Sequence, residues 1–128
     1  MATRILIADD SSPVRSGLRN LLENHAGWEV CGEAVDGADA VSKSRQLKPD
    51  VIVMDFLMPR VNGVQAAKEI KKAQPSVPIL LCSMYLSEPL LEHARKAGIR
   101  AAVSKTKVGE IVHGVESLLG HQEFFCAQ

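Results

Sequence analysis

The sequence predicts an α/β fold in which helices cover both faces of a doubly wound parallel sheet. Three observations predict this. Five short apolar runs alternate with longer segments of helical period, most of the runs are apolar enough to be buried on both faces, and each strand with its helix takes about two dozen residues. Units of this kind join parallel strands through right-handed crossovers.

The five apolar runs are the predicted strands. They span residues 4–8, 28–34, 51–54, 77–82 and 101–104. Only the second run mixes polar and apolar residues along its length. We therefore expect that strand to lie at an edge of the sheet, where one side is open to water.

Five helices are predicted between and after the strands, and capping residues mark where the first three begin. Ser12 is the expected N-cap of the first helix, with Pro13 at its first position. Asp36 caps the second helix, which ends near Leu47. Asn62 caps the third helix, which ends before the next proline.

Apolar residues at helical spacing predict the buried faces of the other two helices and of the first. The face of the first helix is formed by Val14, Leu18, Leu21, Leu22 and His25. The fourth helix ends at Gly98, and its face is formed by Leu90, Leu91, Ala94 and Ala97. The fifth has the clearest stripe, formed by Val108, Ile111, Val112, Val115, Leu118 and Leu119.

The length and the composition fit one domain. A chain of 128 residues, 46% of them hydrophobic, suits a single core. We expect this domain to span residues 1–120. The segment 121–128 follows Gly120 and breaks the helical stripe, so it is either a short apolar cap on the domain or the start of a linker.

The charge balance and the cysteines exclude several classes of function. Fifteen Lys and Arg balance fifteen Asp and Glu, so we expect no direct binding of nucleic acid by this chain. No apolar run approaches the length of a signal peptide or a membrane span, which predicts a cytoplasmic protein. Cys31, Cys82 and Cys126 lack metal-ligand spacing and are expected to be buried thiols in a reducing cytosol.

Polar side chains follow the predicted strands at the points where the strands end. They are Asp9, Asp10, Asp55, Ser83 and Lys105. Because the carboxyl ends of parallel strands meet at one edge of a sheet, we expect these side chains to lie together. Clustered carboxylates with other oxygen donors suit Mg²⁺, and an Asp carboxylate can accept a phosphoryl group as a nucleophile.

Each of these residues also has an ordinary interpretation when taken alone. Asp9 and Asp10 could cap the first helix as loop carboxylates. Ser83 carries little weight, because hydroxyls are common at strand ends, and Lys105 could be a surface lysine. The combination of all five at successive strand ends favours a functional site.

The combination resembles the receiver domain of bacterial two-component response regulators. The resemblance is carried by D-D at 9 and 10, by D-F-L-M-P-x-x-N-G from Asp55 to Gly63, by Ser83 and by Lys105, and it covers residues 4 to about 119. It implies a flavodoxin-like sheet with strand order 2-1-3-4-5 and five flanking helices. The segment from residue 79 to residue 106 is most similar to receivers that precede a helix-turn-helix DNA-binding domain.

The resemblance implies a set of ligands for Mg²⁺. Asp10 would bind the ion directly, and Asp9 would act mainly through a water molecule. Asp55 would be a ligand as well as the phosphoacceptor, and the carbonyl of Leu57 would complete the protein's share.

The resemblance also implies how phosphorylation is used. A sensor histidine kinase would transfer a phosphoryl group from phosphohistidine to Asp55, after which Ser83 and Lys105 would bind the phosphoryl oxygens. Movement of Ser83 would rearrange the fourth helix, the fifth strand and the fifth helix. The resemblance leaves open a homodimer through the fourth and fifth helices.

The sequence departs from the family pattern in three places. Ala102 stands where members usually carry a switch aromatic, although Tyr85 could couple to Ser83 in its stead. Thr106 stands where a proline in cis linkage commonly follows the lysine. The bulky Leu57 and Tyr85 flank the expected phosphoryl group, which leads us to expect slow self-dephosphorylation.

Two alternatives to a phosphorylation switch remain at this stage. One is an aspartyl-phosphate phosphatase, but such hydrolases need a second carboxylate two residues after the nucleophile, where this chain has Leu57. The other is a receiver-like scaffold that binds partners without phosphorylation. The intact set of five residues argues against the scaffold, and Leu57 argues against the phosphatase, so we do not expect an enzyme that turns over a separate substrate.

Overall fold

A computed structural model describes residues 2–126 as a six-stranded parallel sheet with helices on both faces. Met1, and Ala127 and Gln128 of the predicted tail, lie outside the described residues. The strands are β1 (Thr3–Ala8), β2 (Trp28–Ala34), β3 (Val51–Asp55), β4 (Ile79–Ser83), β5 (Ala101–Ser104) and β6 (Phe124–Cys126). The helices are α1 (Ser12–Glu23), α2 (Gly37–Leu47), α3 (Gly63–Ala73), α4 (Glu88–Lys96) and α5 (Gly109–Leu119).

The order of the strands is β2-β1-β3-β4-β5-β6, and every neighbouring pair is parallel. The predicted order 2-1-3-4-5 is therefore confirmed, and β2 lies at an edge as expected. The difference is β6, which adds a short sixth strand to the open edge of β5. It comes from the segment predicted as an apolar cap or the start of a linker.

Two predictions about the first helix are wrong in detail. Ser11 is the N-cap, because its side chain accepts the N–H of Val14, so Ser12 and Pro13 are the first two helical residues. The helix ends at Glu23, which leaves His25 beyond it. His25 stacks on Trp28 with ring centroids 3.7 Å apart.

The predicted caps of the next two helices are confirmed. The side chain of Asp36 accepts the N–H of Asp39 at the start of α2. Asn62 and Gln65 form a reciprocal capping box at the start of α3, with bonds of 2.8 and 2.9 Å. These caps satisfy amides that the first helical turn leaves without partners, and they fix where each helix leaves its loop.

The core lies in two layers, one on each face of the sheet. Residues of α2, α3 and α4 pack on the face that carries Ile52 and Met54. Residues of α1 and α5 pack on the face that carries Val51 and Val53. Because both faces are covered, β3, β4 and β5 are apolar up to their last residue, which is polar in each of them.

Two further features bear on the sequence predictions. Every peptide bond described is trans, including the one between Lys105 and Thr106. The helices within residues 2–126 are too short and too polar for any of them to traverse a lipid bilayer.

Candidate functional site

Three carboxylates meet at the carboxyl end of the sheet, as the sequence predicts. One oxygen atom from each of Asp9, Asp10 and Asp55 lies within 4.8 Å of the others. Asp9 and Asp55 are only 1% and 6% exposed, whereas Asp10 is exposed. The cluster therefore has a buried base and a solvent-facing side.

Lys105 pairs with the two buried carboxylates. Its Nζ lies 2.9 Å from Oδ2 of Asp9 and 3.1 Å from Oδ2 of Asp55. The lysine follows β5 directly, and Ser104 before it is fully buried, so the stem of the side chain starts within the packed layer. The prediction that Lys105 is more than a surface lysine agrees with this position.

Hydrogen bonds fix the backbone around Asp9. Its N–H donates to the carbonyl of Ala34 at 3.1 Å, and its Oδ1 accepts the N–H of Ser11 at 2.9 Å. The guanidinium of Arg15 donates to the carbonyl of Asp9 at 2.8 Å and also pairs with Glu33. Arg15 was not among the predicted site residues, because the spacing of a helical arginine does not indicate that it bonds to a backbone carbonyl six residues earlier.

The loop after Asp55 is held by a glycine at the start of α3. The N–H of Gly63 donates to the carbonyl of Phe56 at 2.8 Å. A Cβ atom at position 63 would lie 2.3 Å from the carbonyl oxygen of Asp55, which no side chain tolerates. The motif needs glycine here because α3 approaches the end of β3 so closely.

Leu57 and Tyr85 are exposed apolar residues in the loops that follow β3 and β4. Their exposed fractions are 65% and 77%, which is high for large apolar side chains. Both line a shallow, mostly apolar groove that also includes Ser83, Leu90 and His93. Because Phe56 and Leu57 line the groove and directly follow Asp55, the groove lies next to the end of β3.

Ser83 ends β4 beside Asp55 in the sheet. Asp55 pairs with Cys82 in the register of β3 and β4, and the carbonyl of Ser83 accepts the N–H of Lys105 at 2.8 Å. The hydroxyl of Ser83 donates to the carbonyl of Tyr85 at 3.3 Å. Ser83 thus contacts Tyr85 through the backbone and not through the exposed ring.

The electrostatics of the cluster are governed by burial. Burial raises the pKa of the Asp55 carboxyl above its ordinary value, Lys105 opposes this effect, and the charge of Asp9 adds to it. Burial alone would lower the pKa of the Lys105 ammonium, but the bonds to Asp9 and Asp55 outweigh it and raise that pKa overall. Burial also raises the pKa of the Cys82 thiol to about 12, so this neighbour stays protonated and is no nucleophile.

The donor set of the cluster fits a hard divalent cation. All three side chains offer carboxylate oxygens, and the cation Lys105 pairs with two of them. Three carboxylates held this close need more positive charge than one ammonium supplies. Mg²⁺ commonly uses one or two carboxylates and keeps water on its open side, which the exposed side of this cluster permits.

Comparison with known proteins supports the resemblance seen in the sequence. The model of the response regulator receiver domain family matches residues 5–116. The chemotaxis protein CheY of Thermotoga maritima is 41% identical over 105 residues, which are 82% of this chain and 87% of CheY. The response regulator protein VraR of Staphylococcus epidermidis is 36% identical over 106 residues, which are 83% of this chain but only 51% of VraR. The chain therefore spans about half the length of VraR.

Solved structures lead to the same family. A LuxR-family two-component response regulator from Aurantimonas has a TM-score of 0.93 and 30% identity, covering 97% of this chain and 89% of that one. The receiver domain of Thermotoga maritima CheB has a TM-score of 0.84 and 29% identity, covering 94% of this chain and 96% of that one. Family model, relatives and structures agree, and the chain belongs to the receiver domains of two-component response regulators.

Proposed function

We propose that this receiver domain is a switch that accepts a phosphoryl group on Asp55. The observation that carries the proposal is the placement of this buried carboxylate at the end of β3, within 4.8 Å of two further carboxylates and paired with Lys105. One oxygen of Asp55 would attack the phosphorus of the donor. The bond from phosphorus to the leaving group breaks, and its electron pair stays with the imidazole of a phosphohistidine or with a small acid.

The residues present would hold Mg²⁺ as the receiver family does. Asp10 and Asp55 would be direct ligands, Asp9 would act through water, and the carbonyl of Leu57 would be the fourth protein group. When bound, the ion neutralises negative charge on the phosphoryl oxygens during transfer. Asp10 is the exposed member of the set, so it offers an oxygen on the side from which a donor approaches.

Lys105 and Ser83 would bind the phosphoryl group after transfer. The ammonium of Lys105 already lies 3.1 Å from Asp55, so an added phosphoryl oxygen falls within its reach. The hydroxyl of Ser83 would exchange its bond to Tyr85 for one to another phosphoryl oxygen. Catalysis of this kind needs little beyond positioning and charge neutralisation.

The family and the relatives support proposals for the phosphodonor and the output. We propose a sensor histidine kinase in the cytoplasm as the phosphodonor. Because VraR extends well beyond the matched region and similar structures are named LuxR-family regulators, we propose that the domain controls transcription through an additional output part. A homodimer through α4 and α5 and the division of the chain at residue 120 both stay predictions.

Two alternatives receive less support from the site. An aspartyl-phosphate phosphatase would need a general acid at position 57, and leucine has no proton to give. A scaffold that ignores phosphorylation would not require a half-buried lysine paired with two buried carboxylates. A cluster of this kind is costly to bury and is therefore expected to be used.

The proposal is tested by incubating the protein with Mg²⁺ and acetyl phosphate and recording its intact mass. We expect one added phosphoryl group in the wild type, none in Asp55→Asn, and none when the metal is chelated. Asp50→Asn is the matched control, because it changes the aspartate just before β3, at the opposite end of the strand from Asp55. Folding of each variant is checked by circular dichroism.

The outcomes separate the candidate functions. A stable phosphorylated form of the wild type and of Asp50→Asn supports the switch. Continuous release of inorganic phosphate without a lasting mass shift would support a phosphatase. A folded wild type that takes up no phosphoryl group from acetyl phosphate or from a histidine kinase would favour the scaffold.

A further inference from the structure

The sixth strand closes the open edge of β5. Its three residues pair in register with Ala101, Ala102 and Val103. The N–H of Phe124 donates to the carbonyl of Arg100 at 3.0 Å, just before β5 begins. In the turn that leads to the strand, the N–H of Gln122 donates to the carbonyl of Ser117 at 2.8 Å.

The side chains of β6 alternate between the two helical layers. Phe124 and Cys126 pack against the layer of α1 and α5, whereas Phe125 packs against the layer of α2, α3 and α4. The register partner of Phe125 is Ala102, which is fully buried and carries only a methyl group. β6 thus places the aromatic ring of Phe125 beside Ala102, where β5 itself carries only a methyl group.

Helix α4 holds this ring. The guanidinium carbon of Arg95 lies 4.2 Å from the centroid of the Phe125 ring, within range of a cation–π interaction. Leu90, five residues earlier on the same helix, packs against the same core cluster as Phe125. Displacement of α4 would therefore change the contacts of the tail.

The other end of α4 is tied to the candidate phosphoryl site. The loop before the helix is held by the bond from the Ser83 hydroxyl to the carbonyl of Tyr85. Ser87 then caps the helix by accepting the N–H of Leu90 at 3.3 Å. A continuous set of contacts therefore runs from Ser83 through the loop and α4 to Arg95 and Phe125.

We propose that β6 is an intramolecular ligand of the β5 edge and that phosphorylation of Asp55 weakens its docking through α4 and the contact between Arg95 and Phe125. This inference rests on the proposed function. When Ser83 donates to a phosphoryl oxygen, the carbonyl of Tyr85 loses its donor and the loop that begins α4 loses a constraint. The helix then shifts, Arg95 leaves the ring, and β6 separates from β5.

The coupling is reciprocal by thermodynamic necessity. If phosphorylation weakens docking of the strand, then undocking of the strand favours phosphorylation by the same factor. Undocking also exposes the backbone groups of β5 that β6 now satisfies. Whether β6 is docked at the edge of β5 would thus depend on whether Asp55 is phosphorylated.

Cys126 provides a direct readout, because it is half-buried within β6. The full chain is treated with N-ethylmaleimide before and after phosphorylation by acetyl phosphate, and labelling of each cysteine is followed by peptide mass spectrometry. We expect Cys126 to be labelled about tenfold faster after phosphorylation, a coupling of ordinary size. Cys31, half-buried in β2 at the opposite edge of the sheet, is the internal control and should not change.

Two variants test the route through α4. Arg95→Gln removes the guanidinium over the ring, so Cys126 should be labelled fast in both states. Lys96→Gln changes the neighbouring charge on the same helix and should behave like the wild type. A wild-type response in Arg95→Gln would overturn the route.

The intact mass of each labelled sample separates failure of this inference from failure of the proposed function. A phosphorylated chain whose Cys126 is labelled at the unphosphorylated rate overturns the link while leaving Asp55 as the acceptor. A chain that takes up no phosphoryl group overturns both.

Discussion

Lys105 lies closer to Asp9 than to Asp55, with Nζ–Oδ2 distances of 2.9 and 3.1 Å. The lysine therefore bridges the two buried carboxylates, Asp9 and the proposed acceptor Asp55. It counters the repulsion that two buried carboxylates would otherwise exert on each other. The same ammonium is in position to bind a phosphoryl oxygen once transfer has occurred.

Removal of this cation should destabilise the fold. We expect Lys105→Ala to lower the free energy of unfolding by about 2 kcal/mol in metal-free buffer, because two buried carboxylates lose a charged hydrogen-bond donor. Urea denaturation followed by circular dichroism measures the change. Lys107→Ala, an exposed lysine two residues on, is the matched control and should stay within about 0.5 kcal/mol of the wild type. Equal stability of the two variants would show that the ion pairs contribute nothing.

Mg²⁺ should stabilise the domain through the carboxylate cluster. At ten times its dissociation constant, a ligand that binds only the folded state adds about 1.4 kcal/mol to the free energy of unfolding. We expect this gain in the wild type and a much smaller one in Asp10→Asn, which removes the exposed carboxylate of the set. Urea denaturation across a magnesium titration measures both. A gain that is unchanged in Asp10→Asn would place the ion elsewhere.

The close approach of α3 to β3 gives a prediction about glycine. Gly63→Ala should cost about 1–3 kcal/mol, because its Cβ would lie 2.3 Å from the Asp55 carbonyl, and it should slow phosphoryl uptake by displacing that residue. Gly17→Ala is the contrasting variant, since nothing lies within 4 Å of a Cβ placed there in the middle of α1. It should raise stability by about 1 kcal/mol. Similar effects of the two substitutions would contradict the packing argument.

The parts of this structure that the sequence predicts are those with a repeated signal. Asp9, Asp55 and Ser83 each follow an apolar run, so the sequence alone indicates that they lie together at the carboxyl ends of neighbouring strands. Ser11 and Ser12 are adjacent and chemically identical, and residue type alone cannot decide which one caps the helix. The sequence does not predict β6, because its three residues, Phe124–Cys126, are too short a run to show the alternation of a strand. They form a strand because they pair with the open edge of β5.

The ion pairs of Glu33 should make stability depend on pH. Hydrogen bonds from Arg19, opposed by burial and reinforced by Arg15, hold the pKa of this carboxyl below its ordinary value of 4.5. The stabilisation by Glu33 is therefore complete above the pKa that this carboxyl has in the unfolded chain. It is lost as the pH falls through the lower pKa that the carboxyl has in the folded protein. Glu33→Gln should cost about 1 kcal/mol at pH 7 and nothing in strong acid. Nearby charges that share these partners are Glu23, which pairs with Arg19, and Lys43, which donates to the Glu33 carbonyl.

Urea denaturation of the wild type and of Glu33→Gln, from neutral to acidic pH, measures the difference between their free energies of unfolding. Glu123→Gln is the control, because Glu123 is more exposed and pairs with only one arginine, Arg100. At neutral pH it should lower the free energy of unfolding by less than Glu33→Gln does. A difference for Glu33→Gln that grows as the pH falls would contradict the sign of the shift.

The side chains that flank the acceptor should make the phosphorylated form long-lived. Hydrolysis needs a water molecule in line with the bond that breaks, and Leu57 offers no group that could orient one on its side of the groove. We expect the wild-type phosphoryl group to last well beyond seconds. Leu57→Asn should shorten its lifetime about tenfold, less than a full general base achieves, because an amide orients water but takes no proton.

Loss of the phosphoryl mass with time, after the donor is removed, measures the lifetime at a fixed concentration of Mg²⁺. Leu57→Met keeps an apolar side chain of similar size at the same exposed position and should leave the lifetime unchanged. If Leu57→Met and Leu57→Asn accelerate hydrolysis equally, bulk and not polarity controls water access. A wild-type lifetime of only seconds would show that water reaches the acceptor by a route that Leu57 and Tyr85 do not restrict.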